Sequence, residues 1–179
     1  MYRAVALWAS RAGIDLDDLH RLEQLAREAR IEFSGDSVFL NGEDVTAAIR
    51  APEVSDAASK VSLAPGVRRA MREEQRRIGS ATSVVMEGRD IGTVVFPEAQ
   101  FKIFLDADAE IRAARRARET GVAVDHVARQ IAERDQRDRS RTEAPLTQAP
   151  DAEYLDSSTL APAEVEEAIL KMIRRRTSN

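Results

Sequence analysis

Two short patterns in this 179-residue sequence combine residue types able to hold a phosphate. The first is Gly88-Arg89-Asp90, which follows the apolar run Val84, Val85 and Met86. Arg offers a planar fork of donors and Asp offers only acceptors, so the pair can grip an anionic oxygen and a hydrogen-bond donor side by side. The apolar run predicts a buried strand; Gly88 then permits a sharp turn that leaves Arg89 and Asp90 at its carboxyl end, where open α/β sheets bind ligands. The plainer reading of the same residues is an exposed ion pair in a βα loop. The second pattern is ERDQRDRSR, in which Arg134, Asp138 and Arg141 recur at i, i+4 and i+7 and so share one helix face. Its plainer reading is a solvated, salt-bridged face. Ser59 and Arg68 bracket an expected turn at Pro65 and are uninformative alone.

The elements that must position these residues alternate between helix and strand. Residues 2–12 predict an amphipathic helix closed by Gly13, and Asp15 is expected to cap a second, with Leu16, Leu19, Leu22, Leu25 and Ala29 at helical spacing. Residues 31–33 and 38–40 read as a hairpin around Ser34-Gly35-Asp36-Ser37, ended by Asn41-Gly42. Helical segments follow near 45–50, 53–61 and 66–78, the last with Pro65 near its start. After the strand expected at 84–86, a second is expected at 101–105. Asp108 then caps a helix that ends near Gly121, Asp125 opens another reaching Arg139, and a third strand lies at 154–155. A final helix begins near Pro162 and carries Arg174, Arg175 and Arg176 at its end. This alternation predicts a parallel α/β architecture.

Composition narrows the function classes. With 43% hydrophobic and 32% charged residues the chain reads as one globular domain, and no apolar run approaches the ~20 residues of a membrane span. Cysteine is absent and only His20 and His126 could serve as imidazole ligands, which disfavours a zinc site. The amino-terminal residues do not read as a signal peptide, so the expected compartment is the cytoplasm. A net charge of −4 argues against a general nucleic-acid binder. Among the 27 basic residues only Lys60, Lys102 and Lys171 are lysines, a skew that suits bidentate recognition of phosphate and can also follow from genome composition.

Several blocks, in order, carry a resemblance to the bacterial cytidylate kinases: MYRAVAL, NGEDVTAAIR, EVSDAASKV, EGRDIGTVVFP, KIFLDA, ERDQRDRSR with the nearby APL, and LDSSTL. The resemblance implies a nucleoside-monophosphate kinase-like parallel sheet across a single domain, 1–179, with a monophosphate-binding insertion near 31–80 and a helical lid near 110–140. It implies transfer of the ATP γ-phosphoryl group to CMP or dCMP with Mg2+. Arg3 would contact the acceptor phosphate. Ser59, Arg68 and Asp90 would read the cytosine, whose amino group a carboxylate accepts and whose ring acceptors Arg68 and Ser59 meet. Arg89, Arg134, Asp138 and Arg141 would hold phosphate and ribose, and Arg112, Arg115 and Arg116 are lid candidates. Neither nucleic acid nor a membrane is implied as a partner.

In one respect the sequence departs from the pattern. Family members reach the Tyr-Arg pair after a strand, a GxxxxGK[ST] loop and a helix, whereas here it is Tyr2-Arg3. None of the eight glycines directly precedes a lysine, so no such loop occurs within 1–179. The expectation is therefore a chain without the nest for the ATP phosphates and without the sheet's central first strand, marginal as a monomer and inactive or nearly so alone. The full-length form would be a monomer. A binding protein for CMP without catalysis is the alternative reading.

Overall fold

A computed structural model describes residues 1–141 and 144–177. It is an α/β structure of many helices, dividing into two compact units, Met1–Val85 and Met86–Asn179.

In the first unit, α1 (Tyr2–Arg11) buries Ala4, Val5, Ala6, Leu7 and Ala9 and packs against α3 (Pro52–Val61). Three alanines on that face let the two backbones approach closely. Gly13, at φ +63, follows α1 as predicted. The second helix, α2 (Leu19–Glu28), starts later than the sequence suggests, because Asp18 and not Asp15 caps it: Asp18 Oδ1 accepts from Arg21 N at 3.0 Å. Asp15 instead accepts from Asp17 N within the preceding turn, and its carbonyl accepts from Asp18 N. A side chain can satisfy a first-turn amide only from two or three residues ahead, and Asp15 lies too far back.

The hairpin forms as expected. Strand β1 (Ile31–Ser34) pairs antiparallel with β2 (Ser37–Leu40), Ile31 opposite Leu40 and Ser34 opposite Ser37. Asn41-Gly42 does not end the sheet. Both residues hold positive φ, +52 and +85, the geometry of a two-residue primed turn, and the chain returns as β3 (Glu43–Asp44). A 3-10 turn, Ala48–Arg50, leads to α3 and then to α4 (Pro65–Ala81), each opened by a proline at its first position. Gly66 lets α4 lie close on α2: a Cβ there would stand 2.6 Å from the Cβ of Glu23. The core gathers Val5, Leu22, Ile31, Val45, Val61, Val67 and Met71, all essentially solvent-free.

In the second unit, β4 (Ile103–Asp106) and β5 (Glu153–Asp156) pair in parallel, Ile103 opposite Glu153 and Asp106 opposite Asp156, as the alternation predicts. Helix α5 (Ala109–Thr120) ends on left-handed Gly121, and α6 (Val124–Ser140) folds back against it; α7 (Pro162–Thr177) closes the chain. Asp125 falls in the first turn of α6, where a carboxylate favours the helix dipole, and not at its cap.

The strand expected at 84–86 is absent. The segment is irregular, with Val84 40% exposed and Val85 fully so. A buried parallel strand needs a ladder partner for its amides and carbonyls, and among the described residues β4 pairs only with β5. The same shortage leaves Leu105 and Tyr154 about half exposed on β4 and β5.

Candidate active site

Since 84–86 is not a strand, Arg89 and Asp90 do not stand at a strand end. They occupy a bend leading into a single wide turn, Ile91–Val95, whose amides close back over five residues: Val95 N donates to Asp90 O and Phe96 N to Ile91 O. Such π-type turns are often found at functional sites. Lys102 pins the far end of this segment. Its buried Nζ donates to the Pro97 carbonyl and to both oxygens of Asp151, at 2.8 and 2.7 Å, while its stem passes Gly92, where a Cβ would come within 3.2 Å. That contact holds the Asp151 carboxyl below its ordinary range.

From the bend, Arg89 reaches α6. Its Nε lies 3.2 Å from Asp138 Oδ2 and its Nη2 3.7 Å from Asp135 Oδ1. The face predicted on α6 exists: Arg134 Nε stands 3.8 Å from Asp138 Oδ2, and Arg141, just past the helix, donates Nη2 to Asp138 Oδ1. Asp138 is 1% exposed and Arg141 9%, whereas Arg134 is 43% exposed, so the face is sealed at one end and solvated at the other. From α5, Arg112 joins through Asp135, Nη1 to Oδ2 at 2.7 Å. Four guanidiniums thus meet two carboxylates among the described residues. Several guanidinium forks in a half-buried setting, suited to bidentate contact, are chemistry for an anion such as phosphate. Asp135 escaped the sequence reading, although it lies one turn before Asp138 and so on the same face; the signal was the i, i+3 spacing.

The other lid candidates do different things. Arg115 gives Nη2 to the carbonyls of Ser157, Leu160 and Ser158 at 2.6, 3.1 and 3.3 Å, fastening the loop after β5. Arg116 makes an exposed pair with Glu119, one turn along. In the first unit, Arg3 donates to Ile49 O at 3.0 Å and to Ser55 Oγ at 3.3 Å. Ser59 on α3 and Arg68 on α4 are both 8% exposed. Ser59 Oγ has no hydrogen-bond partner among the described residues, an uncommon condition for a buried hydroxyl.

A cleft of about 800 Å3 opens at the carboxyl ends of β4 and β5, lined by Asp106, Asp108, Arg112, Asp135, Tyr154 and Asp156 among others. Among the described residues no group of three or more His, Asp or Glu side chains is arranged to hold a metal ion, and no helix is long and apolar enough to cross a membrane.

Comparison with known proteins decides among anion-binding families. A sequence profile of cytidylate kinase matches residues 1–175. The chain belongs to the cytidylate kinase family. A cytidylate kinase of Solibacter usitatus is 59% identical, the alignment covering all of this chain and 80% of that protein. One from Pelotomaculum thermopropionicum is 47% identical over 99% of this chain and 81% of its own length. In a bifunctional pantoate ligase/cytidylate kinase of a Synechococcus strain, 98% of this chain aligns at 43% identity with 35% of the longer protein. Cytidylate kinases are phosphotransferases.

Proposed function

We propose that the chain serves the transfer of the ATP γ-phosphoryl group to CMP or dCMP, giving CDP or dCDP. The observation that carries this reading is the buried cluster of Arg89, Arg112, Arg134 and Arg141 on Asp135 and Asp138. A phosphate oxygen of CMP attacks the γ-phosphorus and the bond to the bridging oxygen of ADP breaks, with negative charge spread over the equatorial oxygens. Fixed guanidiniums stabilise that charge without reorganising. Arg89, Arg134 and Arg141 are the phosphate-facing members in this reading. Asp138 orients them and meets the ribose, Arg3 contributes to the acceptor phosphate, and 110–140 acts as the lid.

For the base, the proposed readers are Ser59, Arg68 and Asp90. The unpartnered Ser59 hydroxyl supports this, since a buried Oγ is stabilised by a ligand partner. Uracil would set a carbonyl against the Asp90 carboxylate and is disfavoured. Magnesium would arrive with the ATP phosphates, neutralising part of their charge, because the described residues offer no cage for it. Residues 1–179 contain no GxxxxGK[ST], and the residues named here serve the acceptor side of the reaction. A cytoplasmic, monomeric full-length protein completes the reading.

Calorimetry with CMP, UMP and AMP, followed by a coupled ADP assay with ATP and magnesium, tests it. CMP bound in preference to UMP, with CDP formed, supports the kinase. CMP bound without any CDP favours a binding protein, the reading consistent with the absent phosphate loop. No preference for CMP refutes both.

A further inference from the structure

Among the members of the cluster, Asp135 occupies a distinctive position. Asp138 is sealed in, whereas Asp135 is 13% exposed in its side chain, touches Arg89 and Arg112, and lies on the wall of the cleft beyond the ends of β4 and β5. Its Oδ2 pairs closely with Arg112 on α5, at 2.7 Å, while its buried Oδ1, without a hydrogen bond among the described residues, lies 3.7 Å from Arg89, which precedes the wide turn. Arg112 is held twice, by Asp135 and by the Ala107 carbonyl, which accepts from its Nε at 3.0 Å. Two anchors on a planar group fix its plane, and among the described residues nothing takes Nη2. We propose that Asp135 is a positioning residue: it sets the planes of Arg89 and Arg112 so that both forks meet one phosphoryl anion. The inference rests on the reading that the cluster holds phosphate.

Position and charge make opposite predictions here. Replacing Asp135 by Asn removes a negative charge from the cluster. If the carboxylate only balanced charge, phosphate would bind more tightly. If it positions the forks, they lose their common plane and phosphate binds less tightly, because misdirected donors forfeit charge-assisted hydrogen bonds. The quantity to measure is the ratio of CMP to cytidine affinity, which isolates the phosphate's share and cancels any general loosening of the base site. It needs no turnover.

In the unaltered chain CMP should bind more tightly than cytidine. Equal affinity would overturn the phosphate reading itself, and this inference with it. Given that preference, Asp135→Asn should lower the ratio about tenfold or more. A ratio unchanged or raised would refute positioning while leaving the phosphate site intact. Urea unfolding of the variant checks that it folds. Should it not, Asp135→Glu keeps the charge but moves it outward by one methylene, and a ratio equal to the parent's would equally refute the proposal. Combining Asp135→Asn with Arg112→Met supplies the last arm: the Asp135 effect should shrink when Arg112 is absent, and full additivity would show that the two do not act through each other.

Discussion

Replacing Asp138 by Asn separates a structural role from a decorative one. The carboxyl is 1% exposed and faces Arg141, itself 9% exposed; Arg89 and Arg134, at 36% and 43%, are half in water. The two exposed partners contribute about 0–1 kcal/mol each, as surface pairs do. The sealed pair differs, for an amide in place of the carboxylate breaks a buried ion pair to Arg141, a loss of about 3–5 kcal/mol. A residual hydrogen bond from the amide oxygen lowers this, so about 2–4 kcal/mol is expected, against a total stability of about 5–15 kcal/mol. At about 2–4 °C per kcal/mol for a chain of this length, the melting midpoint should fall by roughly 4–16 °C. Urea unfolding followed by far-ultraviolet circular dichroism, with Arg134→Met alongside, is the assay. The Arg134 change should cost under about 1 kcal/mol. Equal small losses for both variants would mean that the cluster is solvated in solution and that the burial argument fails.

Four further outcomes follow from particular contacts. Gly66→Ala should destabilise by about 1–3 kcal/mol in the same unfolding assay, because the new methyl overlaps the Glu23 side chain at its root and not merely its mobile end. Asp90→Ala should narrow the preference for CMP over UMP by about 1–3 kcal/mol, measured by calorimetry; an unchanged ratio would remove Asp90 from the base site. Arg141→Lys should lower turnover of an active form by more than tenfold, since an ammonium cannot reproduce the fork, while Arg139→Lys serves as the neighbouring control. The lowered Asp151 carboxyl fixes a sign in pH: the stabilisation it gives is complete above the ordinary carboxylate range and is lost as pH falls through its depressed folded value. Melting curves at descending pH should therefore show a shallower acid limb for Asp151→Asn.

Local signals were read well where a single residue decides the geometry. Gly13, Gly121 and Pro65 end or open helices for reasons of backbone freedom, and the turn residues Ser34-Gly35-Asp36-Ser37 place the hairpin within a residue or so. Failures arose where the outcome depends on something distant. Nothing in Val84-Val85-Met86 shows whether a ladder partner will lie alongside, and without one the strongest apolar run in its neighbourhood stays irregular. Asn41-Gly42 was taken as an end because two following strand residues are too few to show alternation. In the cluster, helix spacing announced Arg134 and Asp138, which share α6, and Arg141, which follows at its cap. Arg112's place there could not be read, since it reaches Asp135 from another helix. Ser59 and Arg68 gave no local sign, and their burial emerges only from packing.

Arg115 shows that not every arginine here looks toward a ligand. The carbonyls of Ser157, Ser158 and Leu160 converge on one guanidinium that belongs to α5. A loop usually carries the instructions for its own shape in its glycines, prolines and short polar side chains. This one takes part of its instructions from a residue some forty positions upstream. Anyone grafting the segment after β5 into another scaffold would carry over its letters and leave behind the clamp that gathers three of its oxygens; to transplant the conformation, position 115 must travel with it.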